Sequence, residues 1–127
     1  MTAATTSYTT RLSSEVRDEM VGAVSMAVRT TYWELAWPPV TGAADYVVFL
    51  HTSEGASQQP TAVPTPRFRL SVARILADEP ASTTTTQLAL TAAHLAVRVA
   101  ARFPDGTLGP ASPLFPVGVI MRDNTAV

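Results

Sequence analysis

The chain has 127 residues, a hydrophobic fraction of 46%, a charged fraction of 15% and a net charge of −1. That is enough apolar material for one domain with a real core and too much for wholesale disorder. With a net charge of −1 no basic field gathers phosphates, and all nine basic residues are arginine with no lysine among them. There is no cysteine, which excludes disulfides and thiolate metal sites.

The opening "MTAATTSYTTRLSSEV" lacks a basic region followed by an apolar one, so it does not read as a signal peptide. Residues 1–11 read as an extended tail. Along "LSSEVRDEMVGAVSMA", Leu12, Val16, Met20, Ala23, Val24 and Ala27 fall on one helical stripe. Ser13 or Ser14 would cap it, and Glu15, Asp18 and Glu19 suit its positive end. A helix over 12–27 is the expectation, with "MVGAVSMAV" as a strand the rival.

From Tyr32 the period changes to two. Trp33, Leu35 and Trp37 alternate with Tyr32, Glu34 and Ala36, and Pro38-Pro39 ends the strand. After the turn "VTGAAD", "YVVFLHT" sets Tyr46, Val48 and Leu50 on one face and Val47, Phe49 and His51 on the other. Residues 53–66 read as a polar loop with three prolines. "RFRLSV" alternates through Phe68, Leu70 and Val72, "ARILADEPAS" breaks the pattern as a helical turn, and "TTTTQLAL" resumes it as a strand. "HLAVRVAARF" is the clearest strand, with Leu95, Val97, Val99, Ala101 and Phe103 on one face. "PDG" is a hairpin turn, and "SPLFPVGVI" a final strand. The whole predicts an antiparallel all-β sandwich or barrel.

Three places carry a resemblance. Trp37 in "LAWPPVTGAADY" ends a strand ahead of a proline and a Gly-Ala turn. Tyr46 and Val48 form a Tyr-x-Val pair, and "VRVAARFPDGTLGPASP" runs through an Arg-Val-x-Ala strand into a glycine-containing hairpin. In order and spacing these resemble a fibronectin type III domain over residues 29–119. The resemblance implies an immunoglobulin-like sandwich of about seven strands over 29–127, and the residue pattern sets an N-terminal tail and helix over 1–28 ahead of it. The tyrosine that often marks the corner before the sixth strand is absent, since Leu95 stands at the matching position.

Catalytic motifs are missing. His51 and His94 have no HxH or HxxxH partner and read as solvated. There is no G-x-S-x-G elbow and no phosphate loop. Asp78-Glu79 reads as a turn, and Arg98 and Arg102 as a solvated outer face with a carboxylate contact as the rival. No catalytic, cofactor or metal site is expected, and no nucleic-acid or membrane partner. The candidate interface residues are Val47 and Phe49 on the outer strand face, together with Leu12, Val16 and Met20; segment 12–27 folding over Val47 and Phe49 is the competing expectation.

The functional expectation is a non-enzymatic structural or interaction module bound to other protein subunits or to itself. The lone sandwich resembles bacteriophage surface proteins, which implies a virion location as a decoration or tail protein anchored by its N-terminal arm. The alternative is a glycan- or cell-surface-binding module, for which Tyr8, Tyr32, Phe49 and Phe68 are the candidate aromatics.

Overall fold

The computed structural model describes residues 8–53, 55–56 and 60–120. It is a two-layer arrangement of antiparallel sheets. The elements run β1 (Thr9–Val21), β2 (Val24–Ala36), β3 (Asp45–Thr52), β4 (Gly55–Ala56), β5 (Thr61–Val63), β6 (Arg67–Leu76), α1 (Ala81–His94), β7 (Leu95–Arg102) and β8 (Phe115–Pro116). One sheet has the order β1-β2-β6. The other has the order β4-β3-β7-β8, with β5 beside β4 on the same edge of β3.

The expected core is in place. Trp33, Leu35 and Trp37 from the first sheet meet Tyr46, Val48, Val97 and Val99 from the second, joined by Phe68, Val72, Phe115 and Val117. Trp33, Leu35, Val48, Val97 and Val117 are fully buried. Burial of each large side chain is worth roughly 1.5–3 kcal/mol. The indole N–H of Trp33 donates to the Val119 carbonyl at 3.0 Å, which ties the C-terminal segment across the core. Trp37 and Tyr46 meet edge to face, with ring centroids 5.5 Å apart.

Two elements differ from expectation. Segment 12–27 is not a helix. It is most of a hairpin in which β1 pairs with β2 over its whole length, from Thr9↔Ala36 to Val21↔Val24. Gly22 makes the two-residue turn with a φ of +66°, a conformation that glycine adopts without strain. "TTTTQLAL" is not a strand; it lies within α1. Thr85 donates to the Ala81 carbonyl and Thr86 to that of Ser82, while the one hydroxyl proton of Thr91 is shared between the Gln87 carbonyl at 2.9 Å and the Val72 carbonyl at 3.4 Å.

Smaller differences have local causes. β6 continues through "ARIL" to Leu76 instead of turning. Its register on β2 jumps from Tyr32↔Ser71 to Thr31↔Ala73, leaving Val72 as a bulge. Val72 and Ala73 are therefore consecutive and both buried, which is why the period of two breaks there. Two short strands edge β3 within the proline-rich loop. The last strand shrinks to Phe115–Pro116, because prolines 113 and 116 cannot donate to a ladder.

Candidate functional site

The hairpin outruns its sheet. β6 pairs with β2 only from Val28 onward, whereas the β1–β2 pairing continues to the Val21↔Val24 turn. Beyond the bond from the Ala77 N–H to the Ala27 carbonyl, residues 19–26 form a two-stranded arm about 10 Å long at roughly 3.3 Å per residue. The arm exposes large apolar side chains: Met20 is 64% exposed, Val24 60% and Val21 41%, with Val16 50% exposed at its base, beside the exposed polar Asp18 and Ser25. An isolated two-stranded ribbon is only marginally stable, so this one needs support. Arg74 on β6 and Glu19 on β1 supply it with an ion pair that crosses β2 at the level of buried Val28.

Strand alternation divides the arm's side chains between two faces. Odd-numbered β1 residues lie on the outer face of the first sheet, which carries a ladder of charge pairs. Glu34 pairs with Arg11 at 3.2 Å and with Arg69 at 3.8 Å, and Glu15 pairs with Arg17 at 3.3 Å and with Arg69 at 3.8 Å. The Arg69 guanidinium also stacks on the Tyr32 ring at 3.6 Å. Even-numbered β1 residues share the core-side face. Leu12 packs against the core, while Val16 and Met20 continue its line out along the arm.

The expected interface residues separate into two places. Leu12, Val16 and Met20 lie on one face of β1. Val47 and Phe49 lie on the outer face of the second sheet, where Val47 stands opposite Ala100 and Ala62, and Phe49 opposite Arg98. Val47 is buried and Phe49 half-buried. Segment 12–27 does not fold over them, because its backbone is committed to β2. Val21 and Val24 were missed as interface candidates; the "VGAV" signal for a two-residue turn flanked by valines could have found them.

A second feature lies at the opposite end of the sandwich. A shallow cleft of about 400 Å³ is lined by Tyr8, Trp37, Val40, Tyr46, Phe103 and the Gly109–Pro113 segment, among others. Its polar atoms serve the chain's own backbone. The Tyr46 hydroxyl accepts the Val40 N–H at 2.9 Å, and Ser112 Oγ accepts the Val99 N–H at 2.9 Å while donating to the Pro113 carbonyl at 2.8 Å. Burial pushes the Tyr8 hydroxyl pKa up, offset in part by its hydrogen bond with Ser112. The Tyr8 ring lies 4.9 Å from that of Phe115.

The aromatics considered for glycan stacking do not share a plane. Tyr8 packs on Phe115, Tyr32 lies under Arg69 on the first sheet, Phe49 is on the outer face of the second and Phe68 is buried in the core.

The ionisable groups are mostly paired locally. Asp45 takes a two-pronged contact from Arg102, with Nε at 2.8 Å and Nη2 at 2.5 Å, which holds its carboxyl pKa below the usual value. Asp105 accepts both the N–H and the hydroxyl of Thr107, with the same effect. Glu79 accepts the Leu76 N–H at 2.7 Å. His51 lies on β3, and His94 ends α1 instead of opening a strand. Among the described residues, no three of His, Asp and Glu are gathered closely enough to hold a metal ion.

Comparison of the chain with protein-family models, with curated proteins and with solved structures finds no match. No helix among the described residues is long and apolar enough to cross a membrane.

Proposed function

We propose that this chain is a non-enzymatic interaction module of immunoglobulin-like, fibronectin type III-like build, working as a structural subunit of a larger protein assembly of the bacteriophage virion kind. The observation that carries the reading is the arm: an overhanging hairpin that exposes Val16 and Met20 on its core-side face and Val21 and Val24 on the other. Large apolar side chains left exposed on an overhanging ribbon favour a partner surface. The strand order supports the build. The first two strands share a sheet with β6, and the third shares one with β7 and β8, the division that immunoglobulin-like sandwiches use.

The test is sedimentation of extracts from cells that produce the protein. The wild-type chain is expected among fast-sedimenting assemblies. The tip variant Val21→Ser/Val24→Ser is expected near the top of the gradient with its thermal melt little changed. Wild type and variant sedimenting alike as small free proteins would overturn the reading.

A further inference from the structure

The two long edges of the first sheet are treated differently. The β6 edge is closed by α1, whose Gln87 side chain bonds both backbone groups of Arg74 and whose Thr91 hydroxyl reaches the Val72 carbonyl. The β1 edge has no strand or helix against it among the described residues. The stretch of this strand from Leu12 to Met20 is a template for another strand.

Counting back from the two-residue turn gives the direction of its backbone groups. Val21 and Val24 form the hydrogen-bonded pair that closes the turn, so odd-numbered β1 residues bond to β2. Leu12, Ser14, Val16, Asp18 and Met20 therefore turn their N–H and C=O groups outward.

The side chains of this edge are complementary about Val16. We propose that β1 pairs antiparallel with β1 of a second copy of this chain, on a two-fold axis at Val16, joining two three-stranded sheets into one of six. In that register Val16 faces Val16 of the partner subunit, and Leu12 faces the partner's Met20 on the core-side face. Glu15 faces the partner's Arg17 on the outer face, twice by symmetry. The one charge that β1 itself carries on the core-side face, Asp18, faces the hydroxyl of the partner's Ser14. Neighbouring registers fail on the same residues. Centring on residue 15 sets Glu15 against itself and Leu12 against Asp18. Centring on residue 17 sets Arg17 against itself and Val16 against Asp18. Charge and apolar complementarity thus select one register. It forms roughly ten backbone hydrogen bonds, two from each of the outward-facing pairs.

The geometry accounts for the exposed arm. Met20 hangs beyond its own sandwich, but in the pair it lies beside Leu12 of the partner subunit, at the margin of the other core. Arg17 has its side chain 69% exposed and pairs with Glu15 of its own strand, which leaves room for the partner's Glu15 as well.

This inference deepens the proposed role of the arm and rests on it. Its test is the oligomeric state of the purified full chain by sedimentation equilibrium, with charge reversals. Wild type is expected to be a dimer. Glu15→Arg and Arg17→Glu alone each set like charges in contact twice, and each should weaken the dimer by roughly tenfold or more. Mixing the two variants restores opposite charges at both contacts and should recover the dimer. Because the chain has no cysteine, Val16→Cys supplies an independent reading that does not disturb a packed site. Facing residues in a hydrogen-bonded pair have Cα atoms about 5.5 Å apart, within disulfide range. Val16→Cys should therefore cross-link on mild oxidation, and Val24→Cys should not. A folded monomer throughout, or a dimer indifferent to both reversals with no Val16→Cys cross-link, would overturn the proposal. A monomer that still requires Val21 and Val24 to enter large assemblies would sink the dimer and leave the proposed role standing; a dimer whose sedimentation in extracts ignores the tip would do the reverse.

Discussion

Gln87 holds Arg74 by both ends of its peptide: the Arg74 N–H donates to Gln87 Oε1 at 2.9 Å, and Gln87 Nε2 donates to the Arg74 carbonyl at 3.4 Å. A side-chain amide thus does for β6 what a neighbouring strand would do. Thr91, one helical turn on, treats the Val72 carbonyl likewise at 3.4 Å. Side chains four apart on a helix share a face, and the two carbonyls they meet lie two apart on a strand edge. Closing this edge directs any strand addition to the other side of the sheet, at β1.

Gln87→Ala removes both bonds and reopens the edge. The expected cost is about 1–2 kcal/mol, seen as a lower urea midpoint with an unchanged slope. Light scattering during refolding should rise as well, because an exposed edge recruits other strands.

Trp33→Ala should be the most damaging of the tryptophan truncations. Trp33 is fully buried and its indole N–H holds the Val119 carbonyl, whereas Trp37 borders the cleft. The expected loss is about 3–5 kcal/mol for Trp33, and less for Trp37→Ala, measured as shifts in urea midpoint. Equal shifts would place the two at equivalent depth.

Tyr46→Phe keeps the ring against Trp37 and deletes only the acceptor of the Val40 N–H. The turn after Pro38-Pro39 then loses its anchor. A cost of about 1 kcal/mol is expected, together with faster amide exchange at Val40.

The Asp45–Arg102 contact should make stability fall in acid. The guanidinium lowers the Asp45 pKa in the folded state. Its contribution is therefore present above the unfolded value, near 3.8, and is lost as pH drops through the lower folded value. Asp45→Asn should flatten the acid limb of the stability–pH curve over that window. Its effect at neutral pH should be modest, since both side chains are partly solvated.

The sequence by itself determined the parts in which each strand has one buried face. Trp33-Leu35-Trp37, Tyr46-Val48 and Val97-Val99 alternate because one side of each strand meets the core, and water faces enough of the other to mark the period. The arm was not legible, for an arithmetical reason. Leu12, Val16 and Met20 are spaced by four, which is close to one helical turn and also an even number. They share a face in a helix and in a strand alike, so their positions cannot decide between the two. Pairing with β2 decides it, since thirteen consecutive cross-strand partners outweigh an isolated helix interrupted by Gly22. The threonine run of α1 was decided in the opposite direction. β-branched residues favour a strand locally, but this segment must carry the chain from the edge of one sheet to the other. As a helix it sets Gln87 and Thr91 on the β6 backbone and Leu88 against the core. Local preference is worth tenths of a kcal/mol per residue, and the groups that tertiary structure must satisfy are worth more.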